Sequence, residues 1–374
     1  MRAGDLRRRR AAAQLLHRPA GSSDPAASSV PAGPRHSAGT GPEHLVGRLL
    51  AVQAQDLRSA RLALRARSAG LAAADVDRAL TVDRSLVMAW LCRGTLHLVR
   101  SEDYPWLFGL TAPDADRAGN RRRLTQEGVS TAQAEAAVGV IERALAAEGP
   151  LTRMELGRRL DARGLPTAGQ ALPHLLFLAA RRGLVVLAPV GPGGQAFALT
   201  RDWLGSTPER LTGTARESAL ARLTRRYLAG HGPASAGDLA GWSGLPVGET
   251  RAGLDAVGAE VAVVEDDLVD LAGREPAPSR VPARLLPAFD PYLLGWRDRS
   301  FAVPAAPAGR VYPGGGMLRA TAVADGLAVG TWTARRGRGR PRIGIEPFAP
   351  LPARAEEELR FEADDVARFL AAGD

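Results

Sequence analysis

"TAQAEAAVGVIERALAAEGPLTRMELGRRLDARGLPTAGQALPHLLFLAARRGLVVLAPVGPGGQAFALT", residues 131–200, decides the fold. Its first part spaces apolar residues at a helical period, and Gly149-Pro150 stops that period. Two further helical runs follow, then two strand-like runs joined by a Gly/Pro turn at 191–194. Three helices followed by a β-hairpin are the pattern of a winged helix. The order returns in residues 216–272, from "RESALARLTRRYLAGHGP" to "VAVVEDDLVDLA". The matching starts "EGPLTRMEL" (148–156) and "HGPASAGDL" (231–239) indicate duplication of one supersecondary unit. Residues 71–110 are read as a first copy.

Outward from these copies the reading continues in both directions. "LRRRRAAAQLLHRP" (6–19) is expected as an amphipathic helix, with a loose Ser/Pro/Gly-rich linker from about Gly21 to Gly41. A helix is expected over 42–54, with Pro42 in its first turn and Leu45, Val46, Leu49 and Leu50 on one face. Asp56 is placed to cap the next helix, on which Arg58, Arg61 and Arg65 fall on one face. "AAADVDRAL" (72–80) and "RSLVMAWL" (84–91) read as helices, "RGTLHLV" (93–99) as a strand, and "SEDYPWLFGL" (101–110) as a capped helix. After Arg280, alternating runs at 285–296, 317–334 and 341–351 predict strands, with Asp325-Gly326 a hairpin turn. They suggest a small β-barrel or curled sheet, closed by the helix "ARAEEELRFEADDVARFLA" (353–371).

The expected fold class is therefore α+β, with three tandem winged-helix units and a C-terminal β-barrel. The segments are 1–41 (basic helix and linker), 42–128, 129–212 and 213–275 (winged-helix units), and 276–374 (barrel with terminal helix).

The chain has 374 residues and a formal charge of +9; all 49 of its cations are arginine. GC-rich coding accounts for arginine over lysine but not for the excess over 40 carboxylates. A basic excess favours a polyanion, nucleic acid first, although a solvated basic surface gives the same count. Cys92 is the one cysteine, which excludes an intrachain disulfide framework and a cysteine-based zinc site. No apolar run approaches the ~20 residues of a membrane span. A cytoplasmic monomer is expected. The six histidines lack metal spacing and no glycine-rich phosphate loop precedes a helix, so neither metal nor cofactor is expected.

The chemistry gathers at "VQAQD", residues 52–56. Side chains two residues apart diverge on a helix and align on an extended segment. If Gln53 and Gln55 act together, the helix must end before them. By residue type alone the pair equally suits helix-end capping. Asp56, directly after it, is read as an N-cap rather than a general base.

The order of "VQAQD", "RGTLHLV" with "EDYPWLFGL", "LLPAFDPYLLGWRDRS" and "GGGMLRATAVADGLAVGTW" closely resembles the AlkZ/YcaQ-like family of bacterial DNA glycosylases, over about residues 40–370. The resemblance implies a C-shaped clamp around damaged double-stranded DNA. It implies hydrolysis of the N-glycosidic bond of bulky N7-alkylpurines and, in some members, of interstrand cross-links. It also implies a protective role in producers of DNA-alkylating antibiotics. The Gln53-Ala54-Gln55 triplet places the chain with the AlkZ-like Gln-x-Gln branch, which makes Gln53 and Gln55 the catalytic candidates.

Candidate DNA contacts are Arg58, Arg61 and Arg65, then Arg93, Thr95 and His97 of the "RGTLH" stretch. His97 suits either a DNA contact or a packed core position. Asp290, Asp298 and the arginines of "GWRDRS" are read as internal ion pairs. "RRGRGRPR" (335–342) joins two expected strands and contains "RGRP", the core of an AT-hook. Its Arg335, Arg336, Arg338 and Arg340 are expected at phosphates or the minor groove. The competing class is a catalytically silent DNA-binding or regulatory protein on the same scaffold; the intact Gln-x-Gln favours the enzyme.

Overall fold

The computed structural model describes residues 2–17, 41–112, 118–191, 194–335 and 340–372. Helix α1 (Ala3–Ala13) precedes α2 (Pro42–Leu49), the extended pair β1 (Val52–Gln53), α3 (Leu57–Arg65) and α4 (Ala73–Thr81). A hairpin of β2 (Leu86–Leu91) and β3 (Thr95–Arg100) follows, then α5 (Tyr104–Thr111) and α6 (Ala118–Gln126). The next block holds α7 (Thr131–Glu148), β4 (Leu151–Thr152), α8 (Arg153–Asp161), α9 (Ala171–Arg181), β5 (Val185–Gly191) and β6 (Gly194–Leu199). After the short α10 (Thr200–Leu204) come α11 (Gly213–His231), α12 (Ala236–Ser243), α13 (Val247–Val257), β7 (Val261–Glu265) and β8 (Leu268–Leu271). The C-terminal part contains β9 (Arg284–Leu286), α14 (Ala308–Val311), β10 (Thr321–Ala324), β11 (Leu327–Arg335), β12 (Arg342–Pro347) and α15 (Ala353–Ala371).

Three times, then, three helices lead into a β-hairpin: α2–α4 into β2–β3, α7–α9 into β5–β6, and α11–α13 into β7–β8. The first round begins at Pro42 rather than near 71. The duplicated starts have a local cause. Thr152 accepts from Glu155 N and Ser235 from Asp238 N, each acid returning a bond to its cap, so both segments nucleate a helix by a capping box.

The chain forms two compact units, residues 1–76 with 220–374, and 77–219. Within the second unit the strands run β3-β2-β5-β6-β4, all antiparallel, so two hairpins share one sheet. Here the sequence reading needs correction. Residues 86–91 are a strand, not a helix, paired from Leu86↔Arg100 to Leu91↔Thr95. Leu86, Val87, Met88, Ala89 and Leu91 are all buried, and a short run that is apolar on both sides does not reveal its period. Cys92 (φ 53°) and Gly94 (φ 87°) turn the chain between the strands.

In the first unit, β12-β11-β10-β9 form an open antiparallel sheet rather than the expected barrel, and β7-β8 stand as a separate pair among the described residues. The run 285–296 supplies only the end of a three-residue strand before it turns at Pro291–Leu293. Asp325 (φ 48°) and Gly326 (φ 76°) make the expected hairpin turn, with positive φ at both central positions. Helix α15 covers β9, its Glu362 accepting from Leu285 N at 3.1 Å.

The helix expected over 6–19 runs as α1 from Ala3 to Ala13, and three of its arginines bond other parts of the unit. Arg7 and Arg8 bond Asp325, and Arg10 is buried, donating to Pro233 O at 2.9 Å. The Arg10 guanidinium lies over Trp296 and Phe301, 4.9 and 4.5 Å from the ring centroids. Those rings continue into a cluster with Tyr292, His231, Tyr227 and Trp242 that forms the aromatic core of this unit. Most of the expected linker lies outside the described residues.

Candidate active site

The helix expected over 42–54 ends at Leu49. Leu50 takes φ 67° and ψ −49°, a γ-turn conformation that is strained for a residue with a branched side chain. Its side chain is fully buried, which holds it there. Beyond it, burial alternates: Val52 and Ala54 are inside, Gln53 is half-buried and Gln55 exposed. The two glutamines are thus the accessible side chains of a segment whose neighbours are buried. The Gln53 amide has no hydrogen-bond partner among the described residues. Asp56 starts α3 as read from the sequence, its carboxylate accepting from Arg58 N and Ser59 N, both at 3.1 Å. A strained turn on one side and a capped helix on the other fix the Gln-Ala-Gln backbone between them.

Helix α3 is anchored from beneath. Arg65 is buried, donating to Glu362 at 2.9 Å, Asp365 at 3.1 Å and Leu285 O at 3.0 Å. Burial alone would depress its pKa, but the two carboxylates outweigh burial and raise it. The expectation that Arg65 shares an exposed DNA-facing surface with Arg58 and Arg61 is therefore corrected. A helical wheel sets Arg65 close to Arg58 but ignores depth along the axis, and every residue from Leu62 to Ser68 is buried. Arg58 and Arg61 remain half-exposed near the glutamines along the chain.

Asp290 forms an internal ion pair, as expected, but with Arg67. Asp298 instead caps its own loop through Ser300 N and Oγ, both at 2.9 Å.

In the 77–219 unit, Arg93 is exposed at the β2–β3 turn and Thr95 is half-buried. His97 is a packed residue. Its Nδ1 lies 2.9 Å from Thr95 O, so Nδ1 donates. Desolvation lowers the His97 pKa to about 4, which keeps the ring neutral at physiological pH. Asp103 does not cap α5 with its side chain; its carboxylate accepts from Trp106 Nε1 at 3.0 Å and Arg100 Nε at 2.7 Å. On the last hairpin Arg335 and Arg340 are exposed, while Arg336 and Arg338 lie outside the described residues.

The signal that sequence reasoning missed is Leu50, whose backbone strain leaves no mark in composition. Among the described residues no helix is long and apolar enough to cross a membrane, and no three His, Cys, Asp or Glu side chains converge as metal ligands would.

Three rounds of three helices and a hairpin, with a non-helical Gln-x-Gln segment in the first, are found in a chain whose similarities place it among the DNA glycosylases. The chain belongs to the AlkZ-like DNA glycosylase family, whose model matches residues 46–369. It is 29% identical over 358 residues to an interstrand DNA cross-link repair glycosylase from Streptomyces sahachiroi, covering 87% of this chain and 89% of that one. Its fold matches the solved DNA glycosylase AlkZ of Streptomyces sahachiroi with a TM-score of 0.74 at 23% identity, over 98% of this chain and 96% of that one.

Proposed function

We propose that this DNA glycosylase hydrolyses the N-glycosidic bond of bulky N7-alkylpurines in double-stranded DNA, with Gln53 and Gln55 as the catalytic pair. The observation that carries the reading is the non-helical Gln-x-Gln segment held between the Leu50 turn and the capped start of α3, whose Gln53 amide has no hydrogen-bond partner among the described residues. N7-alkylguanine is already cationic and leaves without a general acid. Positive charge develops on the sugar, so a weak nucleophile suffices once it is placed beneath C1′. Positioning is then the main task of the protein. A carboxamide oxygen accepts from the water and its NH2 donates to a sugar or phosphate oxygen. Neither group has to titrate.

The three helix–helix–helix–hairpin rounds support three winged-helix units that grip the duplex. Arg58, Arg61, Arg93 and the arginines of the β11–β12 hairpin are its proposed phosphate or groove contacts. The Streptomyces sahachiroi relative is named for cross-link repair, and the same substrate is proposed here, with self-resistance to a DNA-alkylating product as the biological setting. The enzyme is proposed to be monomeric, cytoplasmic and monofunctional. Incubation with duplex DNA carrying N7-methylguanine should release the free base and leave an intact strand with an abasic site. A covalent adduct trapped by borohydride would contradict the water mechanism.

A further inference from the structure

The 77–219 unit contains an open groove of about 790 Å³, in the size range of small-molecule sites. It is lined by Trp90 of β2, by Pro173 and Phe177 of α9, and by Asn120, Arg122 and Arg123 of α6. Trp90 meets Phe177 edge to face at 5.7 Å and rests its other side near Phe197, at 6.3 Å and 16° between planes. Both Trp90 and Phe177 remain half-exposed, whereas Phe197 is buried, so a packed ring supports two accessible ones. Arg122 and Arg123 are exposed and form no ion pair among the described residues. Also lining the groove, His174 Nδ1 and Asn120 Oδ1 lie 3.2 Å apart, a polar pair able to meet a base edge. Desolvation first and Arg123 second lower the His174 pKa, against an opposing effect of Glu127.

Half-exposed aromatic rings, two exposed cations and a polar pair lining one groove match one ligand chemistry: a planar heterocycle carrying a phosphate. We infer that this groove binds a nucleotide, its base against Trp90 and Phe177 and its phosphate at Arg122 and Arg123. The source is either a free nucleoside monophosphate or an unpaired nucleotide of a DNA strand. Stacking of this kind tolerates any base, because each has a π-face. The inference does not depend on the catalytic role of Gln53 and Gln55.

Gly119 provides the test. It lines the groove, a Cβ built on it meets nothing within 4 Å, and its backbone is helical. Gly119→Leu should therefore raise helix propensity while obstructing the groove. Binding to the full chain is measured for dAMP, adenosine, inorganic phosphate, a blunt duplex and the same duplex with one bulged nucleotide. The expected result is that dAMP binds at least about 10-fold more tightly than adenosine or phosphate, and that Gly119→Leu and Arg123→Ser each remove this preference. If a strand is the source, the bulged duplex also binds more tightly than the blunt one, and Gly119→Leu cancels the difference. A preference for dAMP without one for the bulge assigns the groove to free nucleotides. If wild type and Gly119→Leu bind all five probes alike, the groove is not a nucleotide site.

Discussion

The Arg67 guanidinium lies 2.7 Å from one oxygen of Asp290 and 2.9 Å from the other, with both side chains fully buried. The same guanidinium donates to Ala63 O and Gln14 Oε1, so one residue ties α1, the end of α3 and the 290 turn together. Replacing Asp290 with alanine strands a buried cation and should destabilise the 1–76/220–374 unit by about 3–5 kcal/mol, measured by urea unfolding. The double variant Arg67→Met/Asp290→Leu should recover much of the loss, because no charge is then left unpaired. If Asp290→Ala unfolds at the wild-type midpoint, the pair is not the anchor described here.

Gln53→Ala and Gln55→Ala should each lower the single-turnover rate on N7-methylguanine DNA by at least ~10-fold while leaving DNA affinity nearly unchanged. A hydrogen bond that gains strength mainly in the transition state costs rate rather than binding. Asp56→Ala is the control for a capping role. Losing the bonds to Arg58 N and Ser59 N should cost stability by ~1 kcal/mol, with a smaller effect on rate than either glutamine. Wild-type rates in both glutamine variants would place the catalytic group elsewhere.

What was legible in the sequence is what local chemistry dictates. The terminal helix was expected over 353–371 and occupies those residues, because its polar and apolar positions repeat at one period. Asp56 and Asp325-Gly326 were legible because a cap and a two-residue turn each demand particular residues. What depends on tertiary contact was not. Nothing local marks a partner for the arginines of α1, yet Arg7 and Arg8 bond a turn more than 300 positions away. Arg65 lay on the expected face and still points inward, since Glu362 and Asp365 approach the far end of its helix. In the candidate site, the need for the helix to end before the glutamine pair was legible, whereas the strained turn at Leu50 that ends it was not.

Acid should weaken the fold through two buried histidines. Desolvation lowers the His97 pKa to about 4 and the His231 pKa to about 3, below the ordinary value of 6.5. Between about pH 6.5 and these values the unfolded chain holds protons that the folded chain lacks. Stability is therefore full above about pH 6.5 and falls as pH drops, by about 1.4 kcal/mol per pH unit for each histidine. His97→Gln should flatten that slope between pH 6.5 and 4, read from urea midpoints. An unchanged slope in this variant would mean that His97 titrates alike in both states.

The arginine-rich end of the β11–β12 hairpin offers the sharpest test of the proposed DNA contacts. The strand pairing runs from Gly330↔Pro347 to Arg335↔Arg342, so the hairpin carries an arginine on each strand at its open end, and Arg340 is exposed next to them. A cluster of cations without an acid is costly to keep together unless an anion arrives, and phosphate supplies one. If these residues meet phosphates as proposed, changing Arg335, Arg336, Arg338 and Arg340 to serine removes up to four such contacts. Each contributes roughly 0.9 to the slope of log K against log salt, so the slope should flatten by about 2–4 units. Affinity should fall equally on damaged and undamaged duplex, since phosphate contacts carry no lesion information. The fold should persist, because Arg335 and Arg340 are exposed and such residues support little packing. A variant that keeps the wild-type salt slope would make the hairpin a solvated loop. Normal binding to plain DNA with activity lost on bulky adducts would instead show that these arginines touch the lesion.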